Sequence, residues 1–106
     1  PRIHSNVYTN FLAYPIIIKK NKLFTRKQLQ LFLENSGIQT RPIFSGNILR
    51  HPAFNKLVNA KNKLNSFKNS DYIMKNGLLI GCHQGLKAAD INYIHNCIKK
   101  FINIYG

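Results

Sequence analysis

Phe24-Thr25-Arg26-Lys27-Gln28-Leu29-Gln30-Leu31-Phe32-Leu33-Glu34-Asn35-Ser36-Gly37 carries the signals for both ends of a helix. Thr25 and Gln28 have capping-box spacing: a hydroxyl accepts from the backbone three residues on, and the glutamine side chain reaches back to the cap. Phe24 and Leu29 occupy the staple positions on either side of it. Leu29, Phe32 and Leu33 recur at i, i+3 and i+4, so one face is apolar and is expected to lie on a sheet. Gly37, after Asn35-Ser36, supplies the left-handed residue that stops a helix, which places the end at Ser36 within a residue.

Upstream, residues 7–20 are rich in β-branched and aromatic types and end in Lys19-Lys20, as a strand would. Pro15 inside that run has no N–H to give a ladder, so the strand is at an edge, is bulged there, or begins after it. Downstream, residues 38–44 read as a short strand broken by Ser45-Gly46-Asn47. Residues 48–68 hold Pro52 and many Asn and Lys with no clear period. They are expected to form an irregular, mobile excursion with one helical turn near residues 52–57. Asn69-Ser70-Asp71 offers caps for a brief helix through Met74 that Gly77 closes, and residues 78–82 read as an apolar strand. His83-Gln84-Gly85 is a second loop. From Ala88 on, Ile91, Ile94, Ile98, Phe101, Ile102 and Tyr105 keep helical spacing to the end, with Asp90 early and Lys99-Lys100 late, both suited to the helix dipole. The order predicts an α/β (α+β) two-layer sandwich: about three mainly antiparallel strands covered on one face by helices, in a single domain over 1–106. Its core is modest, so it is expected to lean on another domain.

The chain's 106 residues, 44% hydrophobic and 18% charged, suit one domain. Sixteen Lys and Arg against three acidic residues give a net charge of +13, which fits an anionic partner. Heavy use of Lys, Asn and Ile is a compositional source of the same charge, and a domain separated from an acidic neighbour would also carry it unbalanced. No apolar run approaches the ~20 residues of a membrane span, and the N-terminus lacks a signal-peptide layout, so the chain reads as cytoplasmic. Pro1 in place of Met suggests a piece of something longer. Cys82 and Cys97 match no paired zinc spacing and read as reduced thiols.

Glu34, Asp71 and Asp90 lie in three separate elements with cap or surface roles, so no carboxylate pair is set up for acid–base work. Cys82-His83 with His95-Asn96-Cys97 suggests a metal, but Cys97 shares a helix face with Ile94 and Phe101, and Cys82 ends an apolar strand. No metal site is expected. Phosphate-loop glycine motifs do not occur. What remains is Thr40-Arg41-Pro42-Ile43-Phe44-Ser45-Gly46-Asn47 and Gly81-Cys82-His83-Gln84-Gly85-Leu86, two strand ends running into polar loops; in an α/β sandwich such ends can point into one cleft. On spacing alone, Gly46 and Gly85 merely serving turns is the simpler reading.

At these residues the chain resembles a family. The run from Leu33 through Arg41-Pro42-Ile43-Phe44-Ser45-Gly46-Asn47 to Phe54, followed by Asn69 through Gly81-Cys82-His83-Gln84-Gly85-Leu86, looks like the C-terminal small domain of the DegT-type nucleotide-sugar aminotransferases. Within that family it is most similar to the 3-dehydratases of 4-keto-6-deoxyhexoses in lipopolysaccharide O-antigen synthesis. The resemblance covers essentially the whole chain. It implies a fold-type I enzyme whose large domain, absent here, holds pyridoxamine or pyridoxal phosphate, while this small domain closes one wall of the active site and binds no cofactor alone. In the dehydratases the cofactor amine condenses with the C4 ketone, a histidine standing at the aminotransferase lysine position removes a proton, and the C3 hydroxyl leaves. That histidine lies outside this chain, so none of His4, His51, His83 or His95 is assigned to it and no catalytic residue is expected here. Position by position, Arg41, Phe44, Ser45, Gly46 and Asn47 fall at the first active-site loop and His83 and Gln84 at the second. Phe44 would pack on sugar or cofactor, Asn47 would hydrogen-bond, and Arg50 would meet the diphosphate as a forked donor. The implied substrate is a CDP- or GDP-linked sugar, the implied assembly a homodimer, and an iron–sulfur reductase a further partner. Lys87 departs from the family, which usually has Ser or Thr at that helix cap, and residues 55–68 are unusually basic.

Three rival readings stand beside this one: an aminotransferase small domain, a nucleic-acid module acting through Lys19, Lys20, Lys22, Arg26 and Lys27, and a non-catalytic pairing remnant.

Overall fold

The computed structural model describes residues 3–20, 22–54 and 66–106. Three strands, β1 (Ala13–Ile17), β2 (Thr40–Pro42) and β3 (Gly77–Gly81), form one antiparallel sheet in the order β1-β3-β2. The helices are α1 (Arg26–Asn35), α2 (Lys68–Asn76) and α3 (Ala88–Tyr105). The element order is the predicted one, and so is the α+β class. β3 takes the centre because Leu78, Leu79 and Ile80 give it apolar side chains on both faces. The prolines Pro15 and Pro42 sit in the outer strands, where a missing N–H costs the ladder least.

The helical layer covers one face. Leu78 and Ile80 point into it, with Ile18, Leu29, Leu33, Ile38 and Phe101 completing the buried core. Phe101 of α3 is fully buried at its centre. Its ring meets Phe24 edge-on at 4.9 Å and Phe32 at 5.3 Å, which locks α3 against α1. The capping box forms as its spacing requires: Gln28 N–H donates to Thr25 Oγ1 at 3.3 Å, and Thr25 N–H donates to Gln28 Oε1 at 2.8 Å. Gly37 is left-handed, with φ 74°. Beyond the helix end, Glu34 turns back and accepts from Thr40 through both the backbone N–H at 2.6 Å and the hydroxyl at 2.8 Å, pinning the start of β2 to α1.

Several expectations need correction. The strand read over 7–20 is only Ala13–Ile17, and that over 38–44 only Thr40–Pro42. β1 pairs along all five residues of β3, from Gly77 to Gly81, whereas β2 pairs only with Leu78, Leu79 and Ile80. α2 begins at Lys68 without a side-chain cap and extends to Asn76, because the expected cap Asp71 is engaged elsewhere. On α3, Ile91 and Ile102 are exposed, and only Ile94, Cys97, Ile98 and Phe101 face the core. A helix meeting its layer along one line buries a stripe narrower than its apolar spacing suggests. Lys87 makes no side-chain cap, as its departure from Ser or Thr implies, but the Asp90 carboxylate accepts from its backbone N–H at 2.8 Å. The excursion holds two 3-10 turns, Ile48–Arg50 and Pro52–Phe54; the remainder of the turn read near 52–57 lies outside the described residues.

Candidate functional site

The two loops leave the sheet at opposite ends. Pro42, before the first loop, pairs with Leu78 at the start of β3, whereas the second loop follows Gly81 at its end. Antiparallel pairing therefore separates them by about the length of β3, roughly 13–17 Å at ~3.3 Å per residue. The expectation of one shared cleft is corrected: within this chain, Phe44, Ser45 and Gly46 line one depression with Arg26, His51 and Met74, of about 170 Å³. Arg41 and His83 line another, of about 430 Å³, with Ile38, Leu79, Leu86 and Tyr93.

The first loop is tightly constructed. Gly46 has φ 61°, and a Cβ there would come within 2.5 Å of the Met74 side chain, so backbone angle and close approach both require glycine. Phe44 also adopts a left-handed φ, 45°, which is uncommon for an aromatic residue, and its side chain is 79% exposed. Asn47 is buried. Its Nδ2 donates to Asp71 Oδ1 at 2.8 Å, and its Oδ1 accepts from Leu49 N–H at 3.1 Å. Arg50 donates from Nε and Nη2 to the two carboxylate oxygens of Asp71. His51 Nε2 lies 2.7 Å from the Ser45 carbonyl oxygen. Arg50, and after it Asn47, hold the Asp71 carboxyl down at about 2, and the carboxylate in turn raises the Arg50 guanidinium.

The second loop is simpler. Gly85 N–H donates to His83 Nδ1 at 3.1 Å, which makes Nδ1 the acceptor. Gln84 is exposed at the tip. Arg41 sits on β2 opposite Leu79. Arg26 donates to the carbonyls of Met74 and Gly77, at 3.0 and 3.2 Å, which makes it a strut between α1 and α2.

Sequence reasoning found these loops but missed Asp71, which it took for a helix cap. A signal was present: in a chain with three acidic residues and sixteen basic ones, each carboxylate has an excess of cations and N–H donors to serve.

Acid should loosen this corner. A carboxyl whose folded pKa lies below its unfolded one stabilises the fold above the unfolded value and loses that contribution as pH falls through the folded value. Asp71, near 2, and Glu34, lowered chiefly by the Thr40 N–H, both follow this sign. The unfolding midpoint is therefore expected to drop as pH falls from about 4.5 to about 2. In Asp71→Asn the lower part of that fall should flatten, and thermal melts across the range would show it; an unchanged profile would refute the assignment.

Among the described residues, no group of His, Cys, Asp and Glu is placed to hold a metal ion. Every buried side-chain nitrogen or oxygen there has a partner. Neither of these two depressions offers an unpaired buried donor set that fits a pyridoxal phosphate cradle.

Comparison with known proteins agrees with this architecture. The chain is 34% identical over 91 residues to the GDP-4-keto-6-deoxy-D-mannose 3-dehydratase of Escherichia coli O55:H7, matching 86% of this chain and 23% of that protein. It is 32% identical over 93 residues to the dTDP-4-dehydro-2,6-dideoxy-D-glucose 3-dehydratase of Saccharopolyspora spinosa, 88% of this chain and 20% of that one. The solved E. coli GDP-4-keto-6-deoxy-D-mannose-3-dehydratase with bound hydrated PLP superposes with a TM-score of 0.61 at 32% identity, over 80% of this chain and 22% of that structure. The chain thus spans about a fifth of the length of the relatives it matches. Residues 2–99 match the DegT/DnrJ/EryC1/StrS aminotransferase family, and with the antiparallel sheet, the two loop motifs and the closing helix in place, the chain belongs to that family.

Proposed function

We propose that the 106 residues form the small domain of a longer pyridoxamine-phosphate-dependent nucleotide-sugar 3-dehydratase, acting on a nucleoside-diphosphate 4-keto-6-deoxyhexose in deoxysugar and O-antigen synthesis. The observation that carries this reading is the superposition of most of the chain on a PLP-bound 3-dehydratase at 32% identity. The Phe44 loop supports it: a left-handed, exposed aromatic on a clamped loop is costly for the fold alone and suits a surface shaped for something outside it. In this reading residues 44–47 form a wall of the substrate site, presenting the Phe44 ring and the Ser45 hydroxyl. Arg41 and His83, which line the other depression, and Gln84 beside them face a different part of the assembled enzyme. The large domain supplies the cofactor and the proton-transferring residue, the enzyme works as a cytoplasmic homodimer, and an iron–sulfur reductase consumes its product. The two curated relatives differ in nucleotide, GDP against dTDP. The assay therefore offers CDP-, GDP- and dTDP-linked 4-keto-6-deoxyhexoses to the full-length protein with pyridoxamine phosphate. Loss of water from C3 is the expected result. Transfer of an amino group to C4 without loss of water would identify an aminotransferase instead, the alternative that the family's description keeps open.

A further inference from the structure

A single side chain holds the proposed substrate wall. Asp71, on the first turn of α2, accepts from Asn47 at 2.8 Å and from Arg50 through both of its oxygens, so one carboxylate fastens two residues of the first loop to a helix more than twenty residues further along the chain. Asn47 passes the restraint on through Leu49 N–H, and His51 returns to the Ser45 carbonyl. Gly46 rests its backbone on Met74, one turn along the same helix. At the head of this loop Phe44 keeps φ 45° with its ring in solvent. The ring's own exposure cannot hold that angle, so the clamp behind it must.

We propose that Asp71 is a positioning residue: through Asn47 and Arg50 it locks residues 44–51 and so sets where the Phe44 ring stands at the substrate wall. This rests on the function proposed above for the identity of the substrate, but not for the latch itself. It also changes the role of Arg50. With its fork filled by Asp71, Arg50 holds the loop rather than the diphosphate that its forked donor geometry suggested for it.

The test uses the full-length protein and two kinds of readout. In Asp71→Asn and in Arg50→Ala, backbone amides of residues 44–50 are expected to exchange with deuterium on the order of tenfold faster, while those of β3 keep their rates. With nucleotide sugar, kcat/KM should fall on the order of tenfold or more in each single variant, since displacing a substrate-positioning group by ~1 Å can cost up to ~100-fold. The double variant should be no worse than the worse single. Phe44→Ala, costly in the wild-type background, should add little in Asp71→Asn; a merely structural Asp71 would lower the melting point and leave the Phe44 effect at full size. Unchanged loop exchange in Asp71→Asn overturns the proposal, as does a Phe44 effect undiminished in that background. So does a KM rise in Arg50→Ala that Asp71→Asn does not share, since it would make Arg50 a direct diphosphate ligand. If the wild-type protein turns over no nucleotide sugar, the functional reading fails while the exchange data still decide the latch.

Discussion

Phe101→Ala is expected to cost about 3–5 kcal/mol of stability, the range for removing a large aromatic side chain from a core that collapses only partly. The position justifies the upper part of that range. Phe101 is fully buried, it stacks edge-on with Phe24 and Phe32, and Tyr105 lies over it at a ring distance of 4.7 Å. It is also the main link between α3 and α1, so the cavity would open between two helices rather than inside one well-buttressed layer. Against a total stability of about 5–15 kcal/mol for a domain of this size, that loss is a large fraction of the whole. Ile91→Ala on the same helix is the control. Ile91 is 57% exposed, and its truncation should cost less than about 0.5 kcal/mol. Urea unfolding of both variants gives the comparison; equal costs would mean that α3 packs through a different face.

The second large effect is on activity. Phe44→Ala in the full-length protein should lower kcat/KM by about 1–2 kcal/mol of activation free energy, roughly 5- to 30-fold, on the scale of removing an aromatic side chain from an apolar contact. The fold should survive, since the ring is 79% exposed and leaves no cavity within this chain. Phe67→Ala is the matched control: Phe67 precedes α2, is 46% exposed and has no part in either loop. Steady-state kinetics of the two variants should separate clearly, with Phe67→Ala near wild type. Similar values for both, or an unaffected Phe44→Ala enzyme, would show that residues 44–47 do not line the site.

The first loop shows how far local reading reaches. Ser45-Gly46-Asn47 was recognisable as a turn, because glycine and asparagine tolerate backbone angles closed to most residues. That Gly46 has a close neighbour, that Asn47 is buried, and that Phe44 shares the left-handed region all depend on Met74 and Asp71, more than twenty residues away in sequence. The family resemblance pointed to the loop, but only the folded structure shows what Asn47 and Arg50 hold within this chain. His83 was legible as a loop residue, yet nothing in its neighbourhood indicated that it would share a groove with Arg41 and not with Phe44.

The amino-acid sequence alone determined α1 with its caps, the full length of α3, the identity of β3 and the class of the fold. Each of these depends on contacts within four residues or on the balance of apolar and polar side chains along one element, which chain order records directly. Tertiary structure alone decided where the strands stop, which apolar residues of α3 stay in solvent, what the three carboxylates bind, and that the two loops leave opposite ends of the sheet. Ladder register and ion pairing are set between segments that meet only on folding. How far a strand runs therefore depends on the partner it meets, and an acidic side chain goes to whichever donors the packed helices bring within reach.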